Sequence, residues 1–101
     1  MANYRLTEYA KEDLRRIYRY GVIKYGEKQA DIYYDALFER FEQIAENQLM
    51  YQSVDYIKEG YRRSVCGVEN IFYRVVDGTV EIVSILSRQD IDNLMLSRRL
   101  L

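Results

Sequence analysis

One glycine, Gly26, stands between two apolar stripes that leave few folds open to this chain. Before it, Ala10, Leu14, Ile17, Tyr18, Gly21 and Tyr25 recur at spacings of three and four, the period of one face of an α-helix. Lys11, Glu12, Arg15, Arg16 and Arg19 fall on the other face. After it the stripe resumes at Ala30 and runs through Tyr34, Leu37, Phe38, Phe41, Ile44 and Ala45, opposite Glu27, Asp31, Asp35, Glu39, Glu42 and Glu46. Glycine readily takes the backbone conformation that ends a helix, so the segment predicts an αα-hairpin. Neither helix is apolar all round, and the pair must bury its stripes against a further layer.

The rest of the chain supplies that layer. Tyr4 to Thr7 alternates apolar and polar residues and reads as a short strand, with Thr7 placed to cap the first helix and Glu8 and Glu12 near its positive end. Tyr61 to Cys66, Asn70 to Val76 and Thr79 to Leu86 are three β-rich runs. Asp77-Gly78 predicts a tight hairpin, and Cys66 to Glu69 a looser turn. Alternation in the last run puts Val80, Ile82, Ser84 and Leu86 on one face and Glu81, Val83 and Ile85 on the other, the pattern of a central strand covered on both sides. Asn47 to Gly60 reads as a connection with a short extended piece around Ser53 to Ile57. In Gln89 to Leu101, Ile91, Leu94, Met95 and Leu100 lie near helical spacing and predict a marginal last helix. The expected fold is α+β: an N-terminal strand, an αα-hairpin packed on a curved antiparallel sheet (β-α-α-β-β-β) and a C-terminal helix. At 101 residues without proline, the chain reads as one domain, 1–101.

Several function classes fall away on composition. The chain has no histidine and a single cysteine, Cys66, so a zinc centre and a disulfide framework are not expected. No metal, cofactor or catalytic residue is assigned. A net charge of −1 argues against non-specific nucleic-acid binding, and no direct sequence-specific binding is expected either. Met1 to Arg16 is charged throughout, with no apolar run suited to a signal peptide or a membrane span. The expected location is the cytoplasm. Charge is nonetheless segregated: Glu8 to Tyr25 carries five cations and three anions, whereas Glu27 to Glu46 carries two cations and six anions.

The order of short motifs is informative. Tyr4-x-Leu6-Thr7, Ala10-x-x-Asp13-Leu14-x-x-Ile17, Gly26-x-x-x-Ala30, Tyr61-Arg62-Arg63, Ile71-Phe72-Tyr73-Arg74 and Val80-x-Ile82-Val83-x-Ile85-Leu86 together resemble the ParE branch of the ParE/RelE toxin superfamily. The resemblance implies a helical hairpin on a curved antiparallel sheet and a toxin of a type II toxin–antitoxin pair. It implies DNA gyrase as target and a cognate ParD-like antitoxin as silencing partner. The RelE-like alternative is a ribosome-dependent mRNA endonuclease. Where many relatives read Ile-Leu-His-x-Arg, this chain reads Ile85-Leu86-Ser87-Arg88, and a hydroxyl cannot take a proton at neutral pH as imidazole can.

Arg62, Arg63 and Arg74 form a possible basic site on the sheet, and with Arg88 could hold a phosphate. Their plain role is pairing with Glu69, Asp77 or Glu81 across strands. Eleven tyrosines divide similarly. Tyr18, Tyr25 and Tyr34 are expected at the helix–sheet core with hydroxyls at its edge. Tyr9, Tyr20, Tyr33, Tyr51 and Tyr56 are harder to bury together, and surface tyrosines suit protein–protein contacts. Tyr9, Arg16, Tyr20, Tyr33 and Tyr73 are the expected antitoxin-binding residues. Arg88, Arg98 and Arg99 are the expected target-binding residues, because nothing acidic follows Asp92 to pair locally with the last two. A plain packed helix is the other reading of that tail.

Overall fold

The computed structural model describes residues 3–92 and 95–100. Its elements are β1 (Tyr4–Leu6), α1 (Glu8–Tyr25), α2 (Glu27–Glu46), β2 (Gln52–Ser53), β3 (Arg62–Cys66), β4 (Glu69–Val76), β5 (Thr79–Ser87), α3 (Arg88–Asp92) and α4 (Met95–Leu100). The strands form one sheet in the order β1-β5-β4-β3-β2. The expected meander is antiparallel throughout, and β1 joins β5 as a short parallel edge strand.

The hairpin forms as its periodicity requires. Thr7 is extended, and its Oγ1 accepts the Ala10 N–H at 3.1 Å, satisfying one of the first-turn donors. Gly26, at φ +92°, donates its N–H to Val22 at 3.0 Å and accepts from the Ala30 N–H at 3.1 Å, so one residue closes α1 and opens α2. Gly21 permits the close crossing: a Cβ there would lie 3.3 Å from that of Ala30.

Both short turns follow backbone chemistry. Asp77 and Gly78 have φ of 51° and 79°, the paired positive values of a type I′ turn. The β3–β4 turn is tighter than expected. Cys66 pairs directly with Glu69, leaving only Gly67 and Val68, and Gly67 at φ +60° fits the first position of a type II′ turn. The extended piece near Ser53 shrinks to Gln52–Ser53, because Val54 already starts a turn by accepting the Ile57 N–H at 2.8 Å.

Each face of the sheet has its own core. The hairpin buries Leu14, Ile17, Leu37, Phe41 and Ile44 against Ile71, Tyr73, Val80, Ile82 and Ile85. On the other face Val54, Tyr61 and Leu96 cover Phe72, Val83 and Leu86, with Ile57, Ile91 and Met95 at the margin. β5 is therefore central, but its strict alternation fails. Phe72 pairs with Ser84 and Tyr73 with Ile82, so Val83 is an extra residue. One inserted residue reverses the facing of everything beyond it. Ile85 consequently joins Val80 and Ile82 under the hairpin, and Leu86 joins Val83 on the opposite face.

β1 pairs with only three residues of β5, and α1 satisfies the strand edge beyond them. Thr7 Oγ1 donates to the Val83 carbonyl at 2.7 Å, Asp13 Oδ2 accepts the Ile85 N–H at 2.9 Å, and Arg16 donates to the Ile85 carbonyl at 3.1 Å. Ser87 caps α3: its Oγ accepts the Asp90 N–H at 3.2 Å, and Asp90 Oδ2 accepts the Ser87 N–H at 3.3 Å. The described residues of the tail are helical in α3 and α4, and α4 is fastened by buried Leu96. Leu94 and Leu101 lie outside the described residues.

Candidate functional site

A groove of about 770 Å³ runs between the helical hairpin, the β3–β4 turn and the start of α3. Five tyrosines line it: Tyr18, Tyr20 and Tyr25 from α1, and Tyr33 and Tyr34 from α2. Tyr18 and Tyr34 meet edge to face with centroids 5.4 Å apart. The Tyr18 hydroxyl donates to Asp31 Oδ1 at 2.6 Å, and that hydrogen bond pushes its pKa up to about 12. Tyr20 and Tyr25 are 56% and 63% exposed, an aromatic surface of the kind that protein interfaces use. Exposed Ile32 and Val68 extend the apolar character on α2 and the turn.

The floor is tightly built. The Tyr33 hydroxyl donates to the Cys66 carbonyl at 2.7 Å, and its ring lies where a side chain on Gly67 would start, 2.7 Å from a Cβ built there. Burial pushes the Tyr33 pKa up. Next to this contact, Glu69 is 6% exposed, and its Oε2 has no hydrogen-bond partner among the described residues. Burial raises its pKa to about 7, with Arg16 opposing and Asp90 and Asp13 adding to the rise.

The expected partner-binding residues do not all gather here. Arg16, Tyr20 and Tyr33 do. Tyr9 lies near the opposite end of α1, under the Arg99 guanidinium at 4.6 Å. Tyr73 is withdrawn as a contact residue. It is fully buried, with its hydroxyl donated to the Gln48 carbonyl at 2.7 Å, because β4 is covered on both faces. Tyr25, expected at the core, stands instead at the groove mouth. Sequence reasoning passed over Glu69 and Gly67. The only signal was a glycine and a carboxylate flanking a two-residue turn.

The three sheet arginines each bond a group of the chain, although the buried Arg63 Nε has no partner among the described residues. Arg62 faces the hairpin and donates to the Tyr51 carbonyl at 2.7 Å, while Arg63 donates to Gln52 Oε1 at 2.7 Å. Arg74 bonds Glu81 at 2.8 Å, over the Tyr61 ring, and Arg5 takes the other Glu81 oxygen at 3.0 Å. Burial acts to raise the Glu81 pKa, and its bonds from Arg74 and Arg5 outweigh that and leave it below its ordinary value. Glu69, offered by the sequence as a partner for these arginines, has an Oε2 with no hydrogen-bond partner among the described residues. Together with Lys58, Tyr9 and Arg99, Arg74 and Glu81 line a second cleft of about 440 Å³.

The tail needs the largest correction. Arg99 does not project. It forms a two-pronged ion pair with Asp13 at 2.6 and 3.0 Å and donates to Ser84 Oγ at 3.2 Å. Its acidic partner lies 86 residues back in the chain, which local inspection cannot find. Arg88 and Arg98 are exposed. Among the described residues no three His, Cys, Asp or Glu side chains gather as a metal set, and no helix is long and apolar enough to cross a membrane.

Comparison with known proteins adds family context. Residues 4–92 match the family described as ParE toxin of type II toxin-antitoxin system, parDE. Toxin ParE1 of Caulobacter vibrioides is 40% identical over 86 residues, covering 85% of this chain and 88% of that protein. Toxin ParE1 of Mycobacterium tuberculosis is 31% identical over 93 residues, covering 90% and 95%. A solved chain described as the chromosomal ParDE TA system from P. aeruginosa superposes with a TM-score of 0.74, covering 86% of this chain and 96% of its own. At 22% identity that likeness is one of fold.

Proposed function

The chain belongs to the ParE toxin family of type II toxin–antitoxin systems, and from that premise we propose that it arrests replication by inhibiting DNA gyrase while a ParD-like antitoxin, when bound, silences it. The observation that carries this reading is the family match across both hairpin helices and all five strands. The tyrosine groove supports the antitoxin half, since the exposed rings of Tyr20 and Tyr25 beside three half-buried ones suit a covering segment. Arg88 and Arg98 are the proposed gyrase contacts, exposed on the tail. Arg99 is left out because Asp13 occupies it. Gyrase as the target places the action in the cytoplasm. The nuclease alternative recedes because Arg62, Arg63 and Arg74 are each engaged by groups of the chain itself.

Induced expression with separate labelling of DNA and protein synthesis tests the proposal. DNA synthesis should stop first, and Arg98→Glu should relieve the arrest without lowering the melting temperature. Earlier arrest of protein synthesis with new mRNA cuts would overturn it.

A further inference from the structure

Resting on the antitoxin reading of the groove, we propose that the segment seated there carries one cationic side chain, a lysine or arginine, that ends against the Glu69 carboxylate. The charge inventory around Glu69 motivates this. From α1 come Asp13 and Arg16, from α3 Asp90, from α2 the Tyr33 phenol, from β3 the Cys66 thiol, and from α4 the guanidinium of Arg99 behind Asp13. Arg99 is taken by Asp13. Arg16 is divided among Asp13 at 3.4 Å, Asp90 at 3.7 Å and the Ile85 carbonyl at 3.1 Å. Three carboxylates thus face two guanidiniums, and Glu69 Oε2 is left without a hydrogen-bond partner among the described residues.

A buried polar atom in a folded chain ordinarily has a partner, and an unsatisfied one calls for an explanation. Here the wall beside it is open. Glu69 lines the groove among five tyrosines, whose rings suit the aliphatic stem of an incoming cationic side chain. An uncharged segment would cover the aromatics and leave the carboxylate unpaired. A cationic one satisfies both. The same logic sets the register of the segment, because a single charged contact inside an apolar groove rejects sequences that place nothing there.

The test is titration of the whole protein with its cognate antitoxin between pH 6 and pH 8, for the wild type and for Glu69→Gln. A free carboxyl with a pKa of about 7 must lose its proton to accept a cation. Affinity should therefore rise about tenfold across that range. Glu69→Gln should bind about tenfold more weakly at pH 8 and lose the pH dependence, with a melting temperature no lower than that of the wild type. Replacing the antitoxin's lysines and arginines one at a time should reveal one whose loss reproduces both effects. Binding that is strong, flat with pH and indifferent to Glu69→Gln would overturn the inference while leaving the antitoxin reading intact. Absence of antitoxin binding would instead overturn that reading. Concentration-dependent dimerisation abolished by Glu69→Gln would overturn the inference in favour of a second copy of the chain.

Discussion

The two clefts of this molecule treat charge in opposite ways. In the cleft beside the tail, Arg74 and Arg5 share Glu81, and Arg99 closes on Asp13. In the tyrosine groove at the other end of α1, Glu69 is buried and its Oε2 has no hydrogen-bond partner among the described residues. Closed ion pairs hold a fold together, whereas an open one marks where something else must arrive. Of the basic residues that look functional in the sequence, Arg74 and Arg99 are closed in this way, and the acidic residue that looks incidental has an open oxygen.

The contrast breaks first at Asp13. Its carboxylate is 1% exposed and meets Arg99, Arg16 and the Ile85 N–H. Asp13→Ala should cost about 3–5 kcal/mol, because it leaves a largely buried guanidinium and a strand N–H unpaired. By thermal unfolding the midpoint should drop by more than ~10 °C. Combining it with Arg99→Ala should cost far less than the two losses added together.

Glu69 gives a smaller effect of opposite sign. Its folded pKa, about 7, lies above that of an unfolded glutamate. Its protonated form therefore favours the folded state below the unfolded pKa, and that contribution is lost as pH rises through 7. Denaturant titrations should show Glu69→Gln gaining on the wild type by up to about 3 kcal/mol between pH 4.5 and pH 8. A constant difference across that range would mean that the groove is not electrostatically open.

The smallest effect belongs to Glu81. Its partners Arg5 and Arg74 have side chains 52% and 44% exposed, so solvent screens the pairs. Glu81→Gln should change stability by less than about 1 kcal/mol, with high salt erasing most of the difference. A larger loss would mean that the tail-side cleft depends on this pair as well as on Asp13.

How much of this was legible in the sequence depends on range. The helical hairpin, the Thr7 cap and the Asp77-Gly78 turn are written in neighbouring residues, and the structure reproduces them. The bulge at Val83 was not legible, because two adjacent β-formers look alike whether or not one is extra. The candidate site was legible only as an excess of tyrosine. Which rings line the groove, and which one is sealed under the sheet, follows from how α1 crosses α2. Asp13 and Arg99 lie 86 positions apart, and neither carries a local sign of the other. Ser87, notable in the sequence as a replaced histidine, has a plain task as the cap of α3.

The pairing of β1 with β5 also sets a timetable for synthesis. The α1–α2 hairpin uses contacts within some forty residues and can form as soon as Glu46 is made. β1 must wait for Val80 to Ile82, and Asp13 for Arg99. At roughly 5–20 residues per second, Asp13 waits about 4–17 s for Arg99, with only Arg16 as a charged partner near it in the chain. From the completion of Glu46 until β5 is made, the nascent chain displays a helical hairpin whose apolar stripe has no complete sheet to cover it.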